Sequence, residues 1–259
     1  MPPIDAFIAE HGSLALAGAA GVLFLGGFAK GLVGFALPVI AVSGLGQFLP
    51  AQEAVGLLIV PTIVSNFWQA SRLGVGPLVA LAKDFRILVL TLLPMILLSA
   101  QLLVTMGDRP VFLALGLVVT VFVALQLFRV RLPDPRRAPR VTEAGVGLAA
   151  GFVGGLSGVW GPPIMMYLVA RNMSKTDQMA AIGLLFLLGA LALGAGHLHS
   201  GVLDARTAAV SALGVIPTAA GMALGLVLHD RMDAEAFRRA TLFFLAATGL
   251  NLLRRGLWL

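Results

Sequence analysis

One lysine stands alone in a long apolar stretch. Lys30 is the single formally charged residue between Glu10 and Glu53. An ammonium group at the centre of a membrane costs about 2.5–3.5 kcal/mol on insertion scales, so this one must face a cavity or a partner, where it can attract an anion, or lie shallow enough to snorkel. The glycines around it have a pattern. Gly27, Gly31 and Gly34 step by four and three residues before Pro38, and Gly151, Gly155 and Gly158 do the same before Gly161, Pro162 and Pro163. Each set shares one helical face and permits close helix contact, while a proline removes a backbone donor and interrupts the helix. Backbone amides freed at such a break can bind an oxyanion if protein or water, not lipid, surrounds them. Ser157 and Trp160 lie at the second break. Ser65, Asn66 and Gln69 add a polar cluster just after Pro61, with Ser65 and Gln69 on one face and Asn66 beside them. The plainer alternatives are glycine faces used only for packing, a Ser157 bonded to its own backbone, an interfacial Trp160 and polar residues that tie helices together.

The chain that positions these residues is built for lipid. Its 259 residues are 59% apolar and 12% charged, about half the charge that coats an ordinary soluble domain. Uncharged windows cover residues 12–52 (interrupted only by Lys30), 54–71, 87–107, 110–128, 144–170, 179–203 and 207–228. An eighth at 236–253 has Arg238 and Arg239 near its start. A span needs roughly 20 residues, so the expectation is an all-α polytopic membrane protein of about eight transmembrane segments. The 12–52 window would make a helix about 60 Å long, twice the hydrocarbon thickness, so it must break or turn back.

The glycine pattern is an internal repeat. Residues 20–38 and 144–162 share nine identities in nineteen ungapped positions, at an offset of 124. This predicts two homologous halves, 1–132 and 140–259, each opening with a Gly-rich broken helix, joined by a basic linker at 133–139. Lys30 aligns with Gly154, so a site built around the lysine is asymmetric. The basic residues Arg72, Lys83, Arg86, Arg129, Arg131, Arg136, Arg137, Arg140, Arg206, Arg254 and Arg255 then fall on one side, which the positive-inside bias makes cytoplasmic together with the central loop.

Several chemistries are excluded at this level. No Cys is present, so Cys-ligated zinc and iron–sulfur centres are out. No carboxylate lies inside an apolar window, which argues against intramembrane aspartyl proteolysis and a carboxylate proton carrier. Nucleotide and metallohydrolase motifs are missing, and His197 and His199, two apart, do not share a helical face. Asn172, Lys175, Asp177 and Gln178 form at most a loose polar exit loop. No catalytic residue, metal or cofactor is expected. The net charge of +6 is dispersed between apolar blocks, so nucleic acid is not an expected partner; the lipid bilayer and a small anionic solute are.

With Gly27–Pro38 and Gly151–Pro163 in view, the chain resembles the sulfite exporter TauE/SafE family. The second element, Gly-Phe-Val-Gly-Gly-Leu-Ser-Gly-Val-Trp-Gly-Pro-Pro, is the more specific match. The first departs from it with Phe35, Ala36 and Leu37 where further glycines are usual. The resemblance implies a bacterial inner-membrane permease for small anions such as sulfite or organosulfonates, without a prosthetic group and not an enzyme. It implies a substrate path at Gly31, Gly34 and Pro38 and at Gly155, Gly158, Gly161 and Pro162; Lys30, Ser65, Asn66, Gln69, Ser157 and Trp160 are added from the residues themselves. An integral membrane enzyme or assembly factor that uses the glycine faces for packing, and a small-solute channel, are the alternatives.

Overall fold

The computed structural model describes residues 2–71, 75–128, 139–173, 175–229 and 234–259. The basic stretch 129–138, which holds nearly all of the expected linker, lies outside the described residues, as do Arg72 and Arg231. The described residues form thirteen helices and no strand. A short α1 (Pro3–His11) precedes α2 (Ser13–Val33), α3 (Leu37–Leu45), α4 (Ala51–Ser71), α5 (Val75–Asp84), α6 (Arg86–Leu102) and α7 (Asp108–Leu127). Then come α8 (Pro139–Ser157), α9 (Gly161–Ala170), α10 (Lys175–Ser200), α11 (Ala205–Leu213), α12 (Val215–His229) and α13 (Ala234–Trp258).

Among the described residues, five stretches are long and apolar enough to cross a membrane: Ser13–Val33, Ala51–Ser71, Asp108–Leu127, Ala180–Ser200 and Ala205–His229. A sixth is added if Gly76–Asp84 and Arg86–Leu102, bent by 85°, count as one span. The helices α8 and α13 match these in length but are more polar, carrying Arg140 and Glu143 in one case and Arg254 and Arg255 in the other. Large apolar side chains such as Leu14, Phe67, Leu90, Leu117, Ile216 and Phe243 are exposed around the perimeter, an arrangement that lipid satisfies and water does not. The protein is an all-α polytopic membrane protein.

The glycine steps build the inner walls. On α2, a Cβ added at Gly27 would come within 2.2 Å of the Thr218 carbonyl oxygen, and one at Gly31 within 2.3 Å of that of Met222. Facing them on α12, Gly221 and Gly225 meet the carbonyls of Phe24 and Phe28 equally closely. Backbone lies on backbone along this seam, which only paired glycines allow. A second seam joins α8 to α6, where Gly147, Gly151 and Gly155 lie against the carbonyls of Leu88, Leu92 and Ile96. Around the two seams α10 packs on α4 and α6, and α13 on α7.

Buried polar groups are placed where the backbone needs them. Pro61 has no N–H to give to the Leu57 carbonyl inside α4; Ser211 Oγ on α11 donates to that oxygen at 2.8 Å and accepts from the Val60 N–H at 3.1 Å. At the start of α11, Asp204 and Thr207 form a reciprocal capping box. Hydrogen bonds from the Thr207 backbone hold the Asp204 carboxyl below its usual pKa. Its stabilising effect is therefore present above the ordinary carboxylate range and is lost as pH falls through the lowered value. Asp204→Ala is expected to cost about 1 kcal/mol at neutral pH, with the gap from wild type closing in acid; thermal denaturation in detergent at pH 7 and pH 3 measures both.

Candidate functional site

Both helix breaks have the same geometry. At the first, Gly34 takes φ +91° and its N–H returns to the Lys30 carbonyl at 2.7 Å. At the second, Gly158 takes φ +77° and its N–H returns to the Gly154 carbonyl at 2.6 Å. These left-handed residues end α2 and α8, because glycine alone enters that region without Cβ strain. The prolines act differently from the sequence expectation. Pro38 and Pro162 do not terminate a ladder; each sits in the first turn of the next helix, α3 or α9, where its missing N–H costs nothing. The exposed carbonyls at the preceding ends find donors from afar. His229 Nδ1 lies 2.8 Å from the Leu32 oxygen and His197 Nε2 2.9 Å from that of Gly155; since a carbonyl only accepts, these ring nitrogens carry the hydrogens.

The breaks meet. A cavity of about 10 Å3, the smallest that holds one water, lies between them. It is lined by Lys30, Phe35, Pro38 and Val39 from the first break, by Gly158, Val159, Trp160 and Gly161 from the second, and by Asn66 and Phe186 from α4 and α10. The N-terminal ends of α3 and α9 both border it, and each brings the positive end of a helix dipole. Lys30 is 2% exposed, so the snorkelling alternative does not hold. Its Nζ donates to Asn66 Oδ1, and the Asn66 amide donates to the Phe186 carbonyl at 3.2 Å. No carboxylate of the described residues pairs with it. An ammonium with three donors and one neutral partner, beside two helix N-termini, makes a site that favours an anion.

A family model described as sulfite exporter TauE/SafE matches residues 19–252. The chain belongs to the TauE/SafE family. This is a family of transporters, and with the helical membrane fold it makes the chain a secondary membrane transporter of small solutes. Comparison with curated proteins and with solved structures returned no match in either case.

Of the candidate residues in this TauE/SafE chain, Lys30, Pro38, Asn66, Gly158, Trp160 and Gly161 come together at the cavity. The others stand elsewhere, for physical reasons. Gly31 and Gly155 are absorbed in the two seams, and Gly34 is the cap of α2. Ser65 donates back to the Thr62 carbonyl of its own helix, and Gln69, a turn further along α4, is half-buried away from the lining. Ser157 donates to Val153 and accepts from the Val159 N–H, so its hydroxyl serves the break instead of the cavity. Pro162 lines a separate apolar groove of about 590 Å3 between α7, α8 and α9. Trp160 is fully buried and is not an interfacial anchor. The helix-capping roles of His197 and His229 were missed; their positions near the ends of α10 and α12 were the only signal.

A second charged cluster lies at the α1 end. Glu10, His11 and Glu53 bring possible ligand atoms within 4.8 Å of one another. Arg206 bonds to Glu10 and stands 3.8 Å from Glu53, while His11 Nε2 lies 2.8 Å from Glu53. A guanidinium among these carboxylates supplies the positive charge that a metal would bring, and the cluster ties α1 to α4 and α11.

Proposed function

We propose that the chain carries a small oxyanion, sulfite or an organosulfonate, across the bacterial inner membrane by alternating access at the paired breaks. The observation that carries this reading is the buried Lys30 ammonium, without a carboxylate partner among the described residues, where two helix N-termini meet. The anion supplies the missing negative charge, the lysine and the N–H groups left at the starts of α3 and α9, where Pro38, Pro162 and Pro163 have none, hold it, and the two broken helices, each with the helix packed along its glycines, move about it. In this reading the chain makes about eight crossings in two homologous halves, 1–132 and 140–259, with the basic loop cytoplasmic. The recurrence of helix, left-handed glycine and proline-started helix at an offset of 124 supports the two halves. A cavity closed down to the size of one water supports a carrier over a channel, because a channel needs a continuous path.

The test is anion flux in proteoliposomes. Wild-type protein should give saturable sulfite or sulfonate uptake with counterflow. Lys30→Ala should lower the flux ten- to hundredfold, the loss of about 1.5–3 kcal/mol for a charged hydrogen bond. Gly158→Leu, which puts a side chain at positive φ beside Leu58, Leu193 and Pro38, should abolish it. Undiminished flux in both variants would remove the site, and absence of any saturable flux would return the membrane-enzyme alternative.

A further inference from the structure

The side chains around the cavity have unequal hydrogen-bonding capacity left over. The Asn66 carbonyl is engaged by Lys30 and the Asn66 amide by the Phe186 carbonyl. Phe35, Pro38, Val39, Val159 and Phe186 present no polar side-chain atom. What remains is mostly on the donor side: further N–H bonds of Lys30, the second amide N–H of Asn66 and the indole N–H of Trp160, against one spare lone pair on Asn66 Oδ1. That indole belongs to a side chain 1% exposed, and its Nε1 is fully buried with no partner. A buried N–H left unmade costs about 1–3 kcal/mol, so its retention calls for an explanation.

The ring is also held in a built slot. A Cβ added at Gly154 would come within 3.0 Å of the ring's Cε3, and one at Gly189 within 3.0 Å of Cε2, so both neighbouring helices carry glycine where the indole lies against them. Phe186 meets it edge-on, with centroids 6.0 Å apart and planes at 86°. Gly154 is the repeat counterpart of Lys30. Where the first half places the ammonium, the second leaves space, and a tryptophan from the adjoining break fills it.

We infer that the Trp160 indole N–H is a ligand-binding donor, and that the site selects an anion bearing acceptor oxygens only over an equally charged anion bearing an O–H. This rests on the oxyanion-carrier reading and specifies its ligand. A donor on the ligand would meet ammonium, amide and indole hydrogens and find one side-chain acceptor in the lining, the Asn66 oxygen that Lys30 already shares. A neutral indole donor adds direction to the non-directional attraction of the lysine, fixing which oxygen faces α9 and α10.

Two probes of like charge and shape separate the cases: methanesulfonate, which only accepts, and hydrogen methylphosphonate, which has one O–H. Calorimetric titration of the detergent-solubilised protein is expected to show methanesulfonate binding at least tenfold more tightly. Trp160→Phe keeps a ring in the slot and removes the N–H; it is expected to weaken methanesulfonate binding about tenfold while the thermal transition is retained. With Trp68→Phe and Trp258→Phe, Trp160 becomes the sole tryptophan, and its emission should shift on methanesulfonate addition, a readout that needs no change at position 160. Flux that still depends on Lys30, with unchanged affinity in Trp160→Phe and a silent Trp160 emission, would overturn the indole's role and leave the carrier reading standing. Equal affinity for the two probes would overturn the acceptor-only selection. Flux indifferent to Lys30 would overturn both the inference and the reading beneath it.

Discussion

Gly155→Ala is expected to be among the most damaging single-methyl additions in the chain. The new Cβ would lie 2.0 Å from Ser99 Oγ and 2.3 Å from the Ile96 carbonyl oxygen, with the Ala100 nitrogen at 2.9 Å. Ser99 could rotate, but it donates to the Gly151 carbonyl at 3.0 Å and would leave that bond. The other two atoms are backbone of α6 and can move only with the helix. Overpacking typically costs about 1–3 kcal/mol, and a clash with two backbone atoms belongs at the upper end despite the better helix propensity of alanine. The control lies on the same helix. Gly145 has no heavy atom within 4 Å of its would-be Cβ, so Gly145→Ala should be neutral or should stabilise by up to about 1 kcal/mol. Recovery of monodisperse protein by size exclusion after graded heating in detergent compares the two, and equal survival would mean that the α6–α8 seam yields more readily than a backbone contact should.

The second large effect concerns the lysine and its partner. Asn66→Leu removes the one described acceptor of the Lys30 ammonium and leaves a buried charge unsatisfied, which is expected to cost about 3 kcal/mol. Adding Lys30→Met should then restore most of the loss, because a polar pair replaced on both sides by apolar groups of similar size can be nearly neutral. Stability and flux part company in this cycle. Lys30→Met/Asn66→Leu should be well folded and without flux, whereas Asn66→Leu alone should be poorly folded. Thermal unfolding of the four proteins gives the coupling; strict additivity would show that the two side chains do not depend on each other.

Much of this arrangement could be read from residue types. An apolar window twice the length of a span required a break, and the recurring glycine–proline spacing marked where the two breaks lie. A lone lysine in such a window announced its need for a partner. Less legible was the identity of that partner, because Asn66 is 36 residues away and was indistinguishable by type from Ser65 and Gln69. Which of three polar neighbours turns inward depends on the rotation of α4 against α10, a tertiary property. Glycine also serves two ends, close packing and backbone reversal, and only geometry assigns Gly31 and Gly155 to the first and Gly34 and Gly158 to the second. The prolines misled for a related reason: proline is unwelcome within a helix but at home in its opening turn.

The two glycine seams have a mechanical consequence. The backing of α2 comes from α12, late in the chain, and that of α8 comes from α6, which precedes the basic segment. With backbone on backbone along α2–α12, and only Thr91, Met95 and Ser99 reaching in beside the backbone contacts of α6–α8, each pair behaves as one girder. Anything that shifts one broken helix drags along a strut belonging to the opposite stretch of polypeptide. Mechanical order therefore departs from chain order: the parts that travel as blocks are stitched from both ends of the molecule, clasped like the fingers of two hands.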